Sequence, residues 1–342
     1  MYGEPTLRAF AGVAVLLLLG LVLPLVLPEY FLYLGNTLMM YAILALGLDL
    51  LLGWSGQFAV AHIAFFGIGI YASALLQMRL GVPFLVGVPI AAALAGIIGL
   101  LIAIPATRLR TVYLALATYA FAEFAQWVFR SWDSVTKGAD GLRIAAPSIL
   151  GFVVDTDRRA FPMMAILLAL VLIAMLYLTR SRLGRDLCAI RDSEHVASAS
   201  GISVKRTKIV AFVLSAVFAG FAGGAYTLYQ SFVTPDSVGL AQLILVLTMV
   251  VVGGSGTIAG VLVGVALMGL LPELLRAAPR GLLVWQEFAY GLILILATMF
   301  MPRGIWGIVQ SGLGRVVRAG GTTRPATAAL APPAARAPQV AP

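Results

Sequence analysis

Charged residues are scarce in this sequence: Asp, Glu, Lys and Arg together make up 11% of the 342 residues. A soluble domain carries roughly 25% charged residues, whereas hydrophobic residues here reach 61%. A water-soluble fold could not bury so much apolar surface. The composition therefore excludes a soluble protein and predicts an integral membrane protein with one membrane domain.

Cysteine and histidine are almost absent, which removes several classes of site. The single cysteine, Cys188, cannot form an internal disulfide and indicates no metal site. The two histidines, His62 and His195, belong to no HExxH motif, and the sequence contains neither CxxC nor GxSxG. We therefore expect a chain that binds no metal ion, has no catalytic residues and is not an enzyme.

Lysine is equally rare, and its positions exclude a common nucleotide site. None of Lys137, Lys205 and Lys208 follows the GxxxxG frame with which a Walker A loop cradles phosphates. We expect no cofactor in this chain; if ATP drives its function, ATP and Mg²⁺ are bound by a separate ATPase. The net charge of +9 lies mainly in loops and at span ends, where contact with membrane lipid explains it without a nucleic-acid partner.

Long apolar runs recur along nearly the whole chain, and each is a candidate membrane span. A helix rises about 1.5 Å per residue, so about 20 apolar residues cross the roughly 30 Å hydrocarbon layer. The runs predict an all-α fold, a polytopic membrane helix bundle of about ten transmembrane segments (about 8–10). The segments are 9–27, 36–52, 57–78, 84–104, 111–129, 161–178, 208–230, 238–253, 258–275 and 283–301.

Glycine-rich stretches predict broken or re-entrant helices at two places. The first, GWSGQ, covers 53–57, and the second, GGSGT, covers 253–257. The backbone amides freed at a broken helix can bind a carboxylate or line a cavity. A tight turn between two spans would have the same sequence. We expect Asp49, one turn before the first break, to bond to the freed amides of that break.

Polar residues and glycine breaks in the apolar segments are the candidates for a translocation pathway. A charge in the middle of a span costs on the order of 3 kcal/mol, so such groups usually face the bundle interior. Glu123 lies well inside its segment, and a structural hydrogen bond between helices is the alternative to a pathway role. The candidates are Gln57, His62, Glu123, Gly253 and Gly254.

The distribution of Lys and Arg predicts how the chain is oriented in the membrane. The loop at 179–208 is the most basic, so the positive-inside rule places it in the cytoplasm. Counting spans from this loop puts both termini in the cytoplasm and makes 131–160 the longest periplasmic loop. The membrane domain would occupy 1–318, and the Ala/Pro-rich tail at 319–342 is expected to be disordered.

The stretch GRDLCAIRDSEHVASASGI, residues 184–202, gathers charge between two apolar segments. On a helix, Leu183, Leu187 and Ile190 would form one apolar stripe with the charged residues around it. Small residues follow, and Gly201 ends the segment. Such a short helix fits a groove on a partner protein, but a helix lying on the lipid headgroups has the same pattern.

The sequence of this region is familiar. SRLGRDLCAIRDSEHVASASGISVKRTKIVAFVLSAVFAGFAGGAY, residues 181–226, closely resembles the signature region of the LivM-type permeases. These are the branched-chain amino acid subunits of bacterial ABC importers. Val196 departs from the family pattern, where alanine is usual. Further matches, in family order, lie at 47–76, 114–123, 136–142 and 250–275.

The resemblance implies a multi-pass protein of the bacterial inner membrane with several partners. These are a second homologous permease subunit, two cytoplasmic ABC ATPase subunits and a periplasmic substrate-binding protein. The stretch at 184–202 is similar to the loop by which ABC importers couple to their ATPases. The coupling residues that the resemblance implies are Gly184, Arg185, Arg191, Asp192, Glu194, Ala197 and Gly201.

The substrate and the energy source have alternatives. Branched-chain amino acids are the usual cargo of the family, while related permeases carry urea, short amides or aromatic acids. The sequence contains no residue that separates these solutes, because selection in such importers lies mostly in the binding protein. A secondary carrier driven by ions is the alternative of another class; it would use acids such as Glu123 and need no ATPase.

Overall fold

The computed structural model describes residues 7–107, 109, 111–149, 152–277, 285–301 and 304–308. These residues form a helical bundle, as predicted. A five-residue π-helical turn, Leu50–Trp54, continues α2. The α-helices are α1 (Leu7–Val26), α2 (Glu29–Asp49), α3 (His62–Leu80), α4 (Phe84–Ala106), α5 (Thr111–Ser131), α6 (Asp133–Thr136), α7 (Asp157–Arg180), α8 (Arg182–Asp192), α9 (Glu194–Ala199), α10 (Val204–Tyr226), α11 (Leu240–Gly253), α12 (Ile258–Ala277) and α13 (Gln286–Phe300).

Among the described residues, eight helices are long and apolar enough to cross a membrane, judged by length and composition. α1 and α12 contain shorter apolar stretches, Phe10–Val26 and Ile258–Glu273. In chain order these ten helices correspond to the ten predicted segments. The prediction of a polytopic bundle is therefore confirmed. The predicted tail at 319–342 and the domain limit at 318 lie outside the described residues.

Two predicted boundaries are wrong at the first glycine break. The segment predicted at 36–52 begins at Glu29 and ends in the π turn at Trp54. The segment predicted at 57–78 begins only at His62. The backbone between them leaves the helix at Gly56, whose φ of 69° lies outside the right-handed helical region. The break is real, but it lies a few residues later than the pattern suggested.

The core forms where α10 packs against α2, α3 and α4. Small side chains let these helices approach closely. A Cβ atom on Gly223 of α10 would collide with the backbone of α3 at Phe66 and Ile70. Elsewhere along the same two helices, Phe65 of α3 and Phe212 of α10 meet edge to face, with ring centroids 5.9 Å apart. Close backbone packing and interlocked rings thus fix the centre of the bundle.

Short strands form at the end of the bundle opposite α8 and α9. β1 (Leu142–Arg143) pairs antiparallel with β4 (Phe232–Val233), and β2 (Ser148–Ile149) pairs with β3 (Phe152–Val153). α7 runs from this end to Arg180 at the other, where α8 begins. The predicted loops at 131–160 and 179–208 therefore lie at opposite ends, as the orientation requires.

Candidate functional site

α8 and α9 together form a short helical segment, Arg182–Ala199, outside the bundle core. Ser181 and Ser193 cap the two helices, since their hydroxyls accept from the amides of Gly184 and Val196, each at 3.4 Å. Leu187 and Ile190 are buried against the bundle, which confirms the predicted apolar stripe. We call Arg182–Ala199 the α8–α9 segment.

Arg191 reaches from this segment into the first glycine break. Its Nη1 donates to the carbonyl oxygen of Gly53 at 2.7 Å, while the side chain as a whole remains 41% exposed. Gly53 lies in the last helical turn before the break, where carbonyl oxygens have no amide donor from a following turn. The guanidinium therefore satisfies a backbone group at the end of a broken helix.

The second glycine break meets the first at the same place. The amide of Gly256 donates to Asp49 Oδ1 at 2.7 Å, across 207 residues of sequence. Asp49 is fully buried, and a Cβ atom on Gly53 would collide with both its carboxylate and the Gly256 amide. The expectation that Asp49 bonds to the amides of its own break is thus wrong, because the amide of the other break occupies that carboxylate oxygen. We call Asp49, Gly53, Arg191 and Gly256 the junction.

Gln57 is buried beside the junction. Its Nε2 donates to Ser55 Oγ at 2.9 Å and to the Lys208 carbonyl oxygen at 3.4 Å. The residue therefore ties the non-helical link after α2 to the first turns of α10. Both of its contacts are within the chain, so Gln57 holds the break in shape rather than facing an open cavity.

Glu194 and Ala197 were predicted to couple to an ATPase. In the structure, both side chains make contacts within this chain. The Glu194 carboxylate pairs with Lys208 Nζ at 2.5 Å and so fastens α9 to α10. Ala197 is buried, at 2% exposure, whereas its neighbour Val196 is 65% exposed. Gly201 has a φ of 82° and open space around it. The outward surface of α9 is thus formed by Val196 and not by Ala197.

The remaining predicted coupling residues divide between structure and surface. A Cβ atom on Gly184 would collide with the Thr179 carbonyl, so glycine permits the turn from α7 into α8. Arg185 is exposed, and its Nη1 donates to the Arg180 carbonyl oxygen at 3.2 Å. Asp192 is exposed beside Arg191, 3.4 Å from its Nε. Arg185 and Asp192 are therefore accessible from outside the bundle.

His62 lies at the start of α3 and is buried among three helices. Its Nε2 is 2.9 Å from the Leu44 carbonyl oxygen on α2, and its Nδ1 is 2.9 Å from Ser215 Oγ on α10. A backbone carbonyl can only accept, so Nε2 carries the proton and Nδ1 accepts from the serine hydroxyl. With both ring nitrogens bonded inside the core, the imidazole connects helices and faces no cavity.

Glu123 is exposed in the middle of α5, a span of whose apolar window only 22% is buried. It lines a small cleft with Tyr119 and Gln126 of α5 and with residues 238–240 at the start of α11. The structure therefore places Glu123 apart from the other pathway candidates, on an outer surface of this single chain. A carboxylate at this depth is unfavourable against lipid.

Gly253 and Gly254 end α11 at the second break. A Cβ atom on Gly253 would collide with the backbone of α12 at Gly260 and Gly264. Gly254 has a φ of 121°, which disfavours any side chain. Both glycines permit close packing and a sharp turn, and neither lines a cavity that the structure describes.

A cavity of about 210 Å³ opens at the end opposite the α8–α9 segment. Its polar lining includes Asp155, Thr156 and Asp157 from the start of α7 and Tyr229 and Gln230 after α10. Burial raises the pKa of the Tyr229 phenol well above its usual value, so the group stays neutral. The composition of the sequence does not reveal this cavity, because its residues come from two distant loops.

Comparison with known proteins identifies the family to which the chain belongs. The family model described as branched-chain amino acid transport system / permease component matches residues 30–299. The chain belongs to this family. It is accordingly a multi-pass membrane protein, and its membership confirms the resemblance seen in the signature region.

The most similar relatives include two kinds of permease protein. The chain is 31% identical to the high-affinity branched-chain amino acid transport system permease protein LivM of Escherichia coli (strain K12), over 85% of this chain and 73% of that protein. It is 26% identical to LivH of the same system and organism, over 80% of this chain and 92% of LivH.

A third relative transports a different class of solute. The chain is 29% identical to the xylose transport system permease protein XylH of Escherichia coli (strain K12), over 41% of this chain and 37% of that protein. No solved structure matches the chain.

Proposed function

We propose that this protein is the permease subunit of an ABC importer for branched-chain amino acids. The observation that carries the proposal is the α8–α9 segment, a capped, amphipathic pair of short helices. Its Arg191 bonds to the first glycine break and lies beside the second. The likeness to LivM over most of both chains supports the choice of cargo.

In the importer this chain would meet three kinds of protein partner. Two ATPase subunits, which bind ATP and Mg²⁺, dock at the α8–α9 segment, and a second permease subunit covers another face of the bundle. A binding protein delivers the substrate to the opposite end, where the cavity of about 210 Å³ opens between the short strands. The α8–α9 end faces the cytoplasm, and both termini lie on that side of the bacterial inner membrane.

The docking surface on the ATPase side is the outward face of α9. Val196 is the large apolar residue on this face, at 65% exposure, and Ser198, Ala199 and Ser200 around it are exposed and small. An apolar knob surrounded by small side chains fits a groove on a partner. Glu194 contributes by holding α9 against Lys208, so its role is to position this face.

A cysteine crosslink tests the docking proposal. Val196→Cys, in a Cys188→Ser background, should crosslink to single cysteines in the groove of the co-expressed ATPase, and ATP should change the yield. Ala197→Cys is the matched control: one residue away but buried, it should give little product. The absence of crosslinks at every groove position, with uptake that stops only when the proton gradient collapses, would favour a secondary carrier.

The face of α5 that carries Glu123 is the surface we assign to the second permease. A carboxylate in the middle of a span needs water or a polar partner, and α5 leaves Glu123 uncovered in the single chain. The substrate pathway would then run between the two permeases and past Glu123. Gln57, His62, Gly253 and Gly254 would shape the helices behind this pathway rather than line it.

Replacing Glu123 by glutamine should reduce leucine uptake by about tenfold while leaving the amount of protein in the membrane unchanged. Loss of one charge from a desolvated polar path is worth about 1–3 kcal/mol. Uptake of labelled leucine by vesicles measures the effect. Glu29→Gln, which removes an exposed acid at the first residue of α2, is the control and should transport normally. Equal losses of uptake and of membrane protein would instead assign Glu123 a structural role.

A further inference from the structure

We propose that Arg191 is a positioning residue that makes both broken helices move together with the α8–α9 segment. The inference rests on the proposed function, since it assumes that ATPases move that segment. Its basis is the hydrogen bond from Arg191 on α8 to the first glycine break, which runs from Arg191 Nη1 to the Gly53 carbonyl oxygen at 2.7 Å.

The two breaks are in direct contact, so neither can shift alone. Asp49 holds the Gly256 amide at 2.7 Å, and no space remains between Gly53 and these two groups for even one further carbon atom. Arg191 also lies beside Gly256, because a Cβ atom built on that glycine would be 3.1 Å from Arg191 Nη1. A displacement applied at Gly53 is therefore passed to the turn at 254–257.

α8 is built to move as a unit. It is bounded by two extended residues, Ser181 and Ser193, which separate it from α7 and from α9. Leu187 and Ile190 hold it to the bundle by apolar contact, which has no preferred direction. The bond from Arg191 is directional and charge-assisted. It therefore fixes Gly53 as the point at which a movement of α8 acts on the bundle.

Arginine suits this role better than a shorter or neutral residue. Its side chain spans the distance from the outside of the bundle to Gly53 while 41% of its surface stays exposed. The charge strengthens the bond to the carbonyl, and the fully buried Asp49 carboxylate is close by in the junction. Lysine would retain the charge but provide only one compact donor group.

The test compares Arg191→Met, Arg191→Lys and the matched control Arg182→Met in the purified complex of permeases, ATPases and binding protein. Arg182 lies on the same helix with an exposed side chain, at the end distant from the junction. Three quantities are measured: copurification of the ATPases, ATP hydrolysis and leucine uptake. A fourth is the rate at which a maleimide labels Ser255→Cys, an exposed position in the second break, in a Cys188→Ser background.

Arg191→Met should copurify with the ATPases and hydrolyse ATP, yet transport about tenfold less leucine, as expected for loss of one charged hydrogen bond. ATP should change the labelling of position 255 in the wild-type complex and in Arg182→Met, but not in Arg191→Met. Arg191→Lys should restore part of the response. The labelling readout separates this role from simple support of the fold.

Three results would overturn the inference. The first is Arg191→Met with uptake within about twofold of wild type and a normal response at position 255. The second is loss of the ATPases from the Arg191→Met complex, which would assign Arg191 to the docking surface. The third is failure of both Arg191 variants to accumulate, which would make the residue structural. ATP-driven uptake by the wild-type complex is measured before any variant. Its absence would refute the proposed function itself.

Discussion

Replacing Gly223 by valine should abolish accumulation of the folded protein. Gly223 lies where α10 crosses α3, and an added Cβ atom would collide with the Phe66 carbonyl oxygen and the Ile70 amide. These are backbone atoms of a packed helix, which cannot rotate away as a side chain could. Overpacking a core with flexible neighbours already costs about 1–3 kcal/mol, and a contact against rigid backbone should cost more.

Fluorescence-detected size-exclusion chromatography of the solubilised protein measures this effect. Gly12→Val is the matched control, because Gly12 also lies in an apolar helix but a Cβ atom there meets nothing. Gly12→Val should give a normal monodisperse peak, whereas Gly223→Val should give aggregate or no peak. Equal peaks from the two variants would show that α10 and α3 are not as close as described.

Replacing His62 by alanine should destabilise the protein by about 3 kcal/mol, the usual size of a large-to-small change in a core. The imidazole bridges three helices, with Leu44 on α2 and Ser215 on α10 as its partners. Its removal leaves a cavity and deprives the buried Ser215 hydroxyl of its acceptor, which adds the cost of an unsatisfied polar group. Thermal unfolding of the solubilised protein measures the loss.

His195 supplies the control for this second experiment. It is the other histidine of the chain and is exposed on α9. His195→Ala should unfold at the wild-type temperature, because its side chain leaves no cavity behind. If His62→Ala were as stable as His195→Ala, the imidazole would not connect the three helices, and a role in the pathway would have to be reconsidered.

The apolar patterns were sufficient to predict the helices and the two breaks, because both depend on local sequence. Runs of about 20 apolar residues select membrane helices, and glycine clusters interrupt them. The pattern at 184–202 predicted one short helix with an apolar stripe. The structure confirms the stripe at Leu187 and Ile190 but divides the segment into α8 and α9 at the extended residue Ser193. The relatives then agreed with the family that this region suggested.

The partners of polar residues were much harder to foresee, because they depend on contacts between distant parts of the chain. Glu194 looked like a docking residue, yet its carboxylate is paired with Lys208. Asp49 was assigned to the nearer break and bonds to the farther one. Two glycine breaks, a buried acid and an arginine in a polar segment were all visible signals, but only tertiary structure shows that they meet.

The distance in sequence between Asp49 and Gly256 also constrains the biogenesis of this protein. The acceptor enters the bilayer with α2, whereas its donor is synthesised 207 residues later. An acid at the centre of a span costs on the order of 3 kcal/mol at insertion, which is an upper limit for Asp49 because it lies near the end of the span Glu29–Trp54. The leucines on both sides, at 46, 48, 50, 51 and 52, each favour membrane insertion by about 0.5 kcal/mol. Nascent α2 can therefore remain inserted until the second glycine break, with its Gly256 amide, has been synthesised.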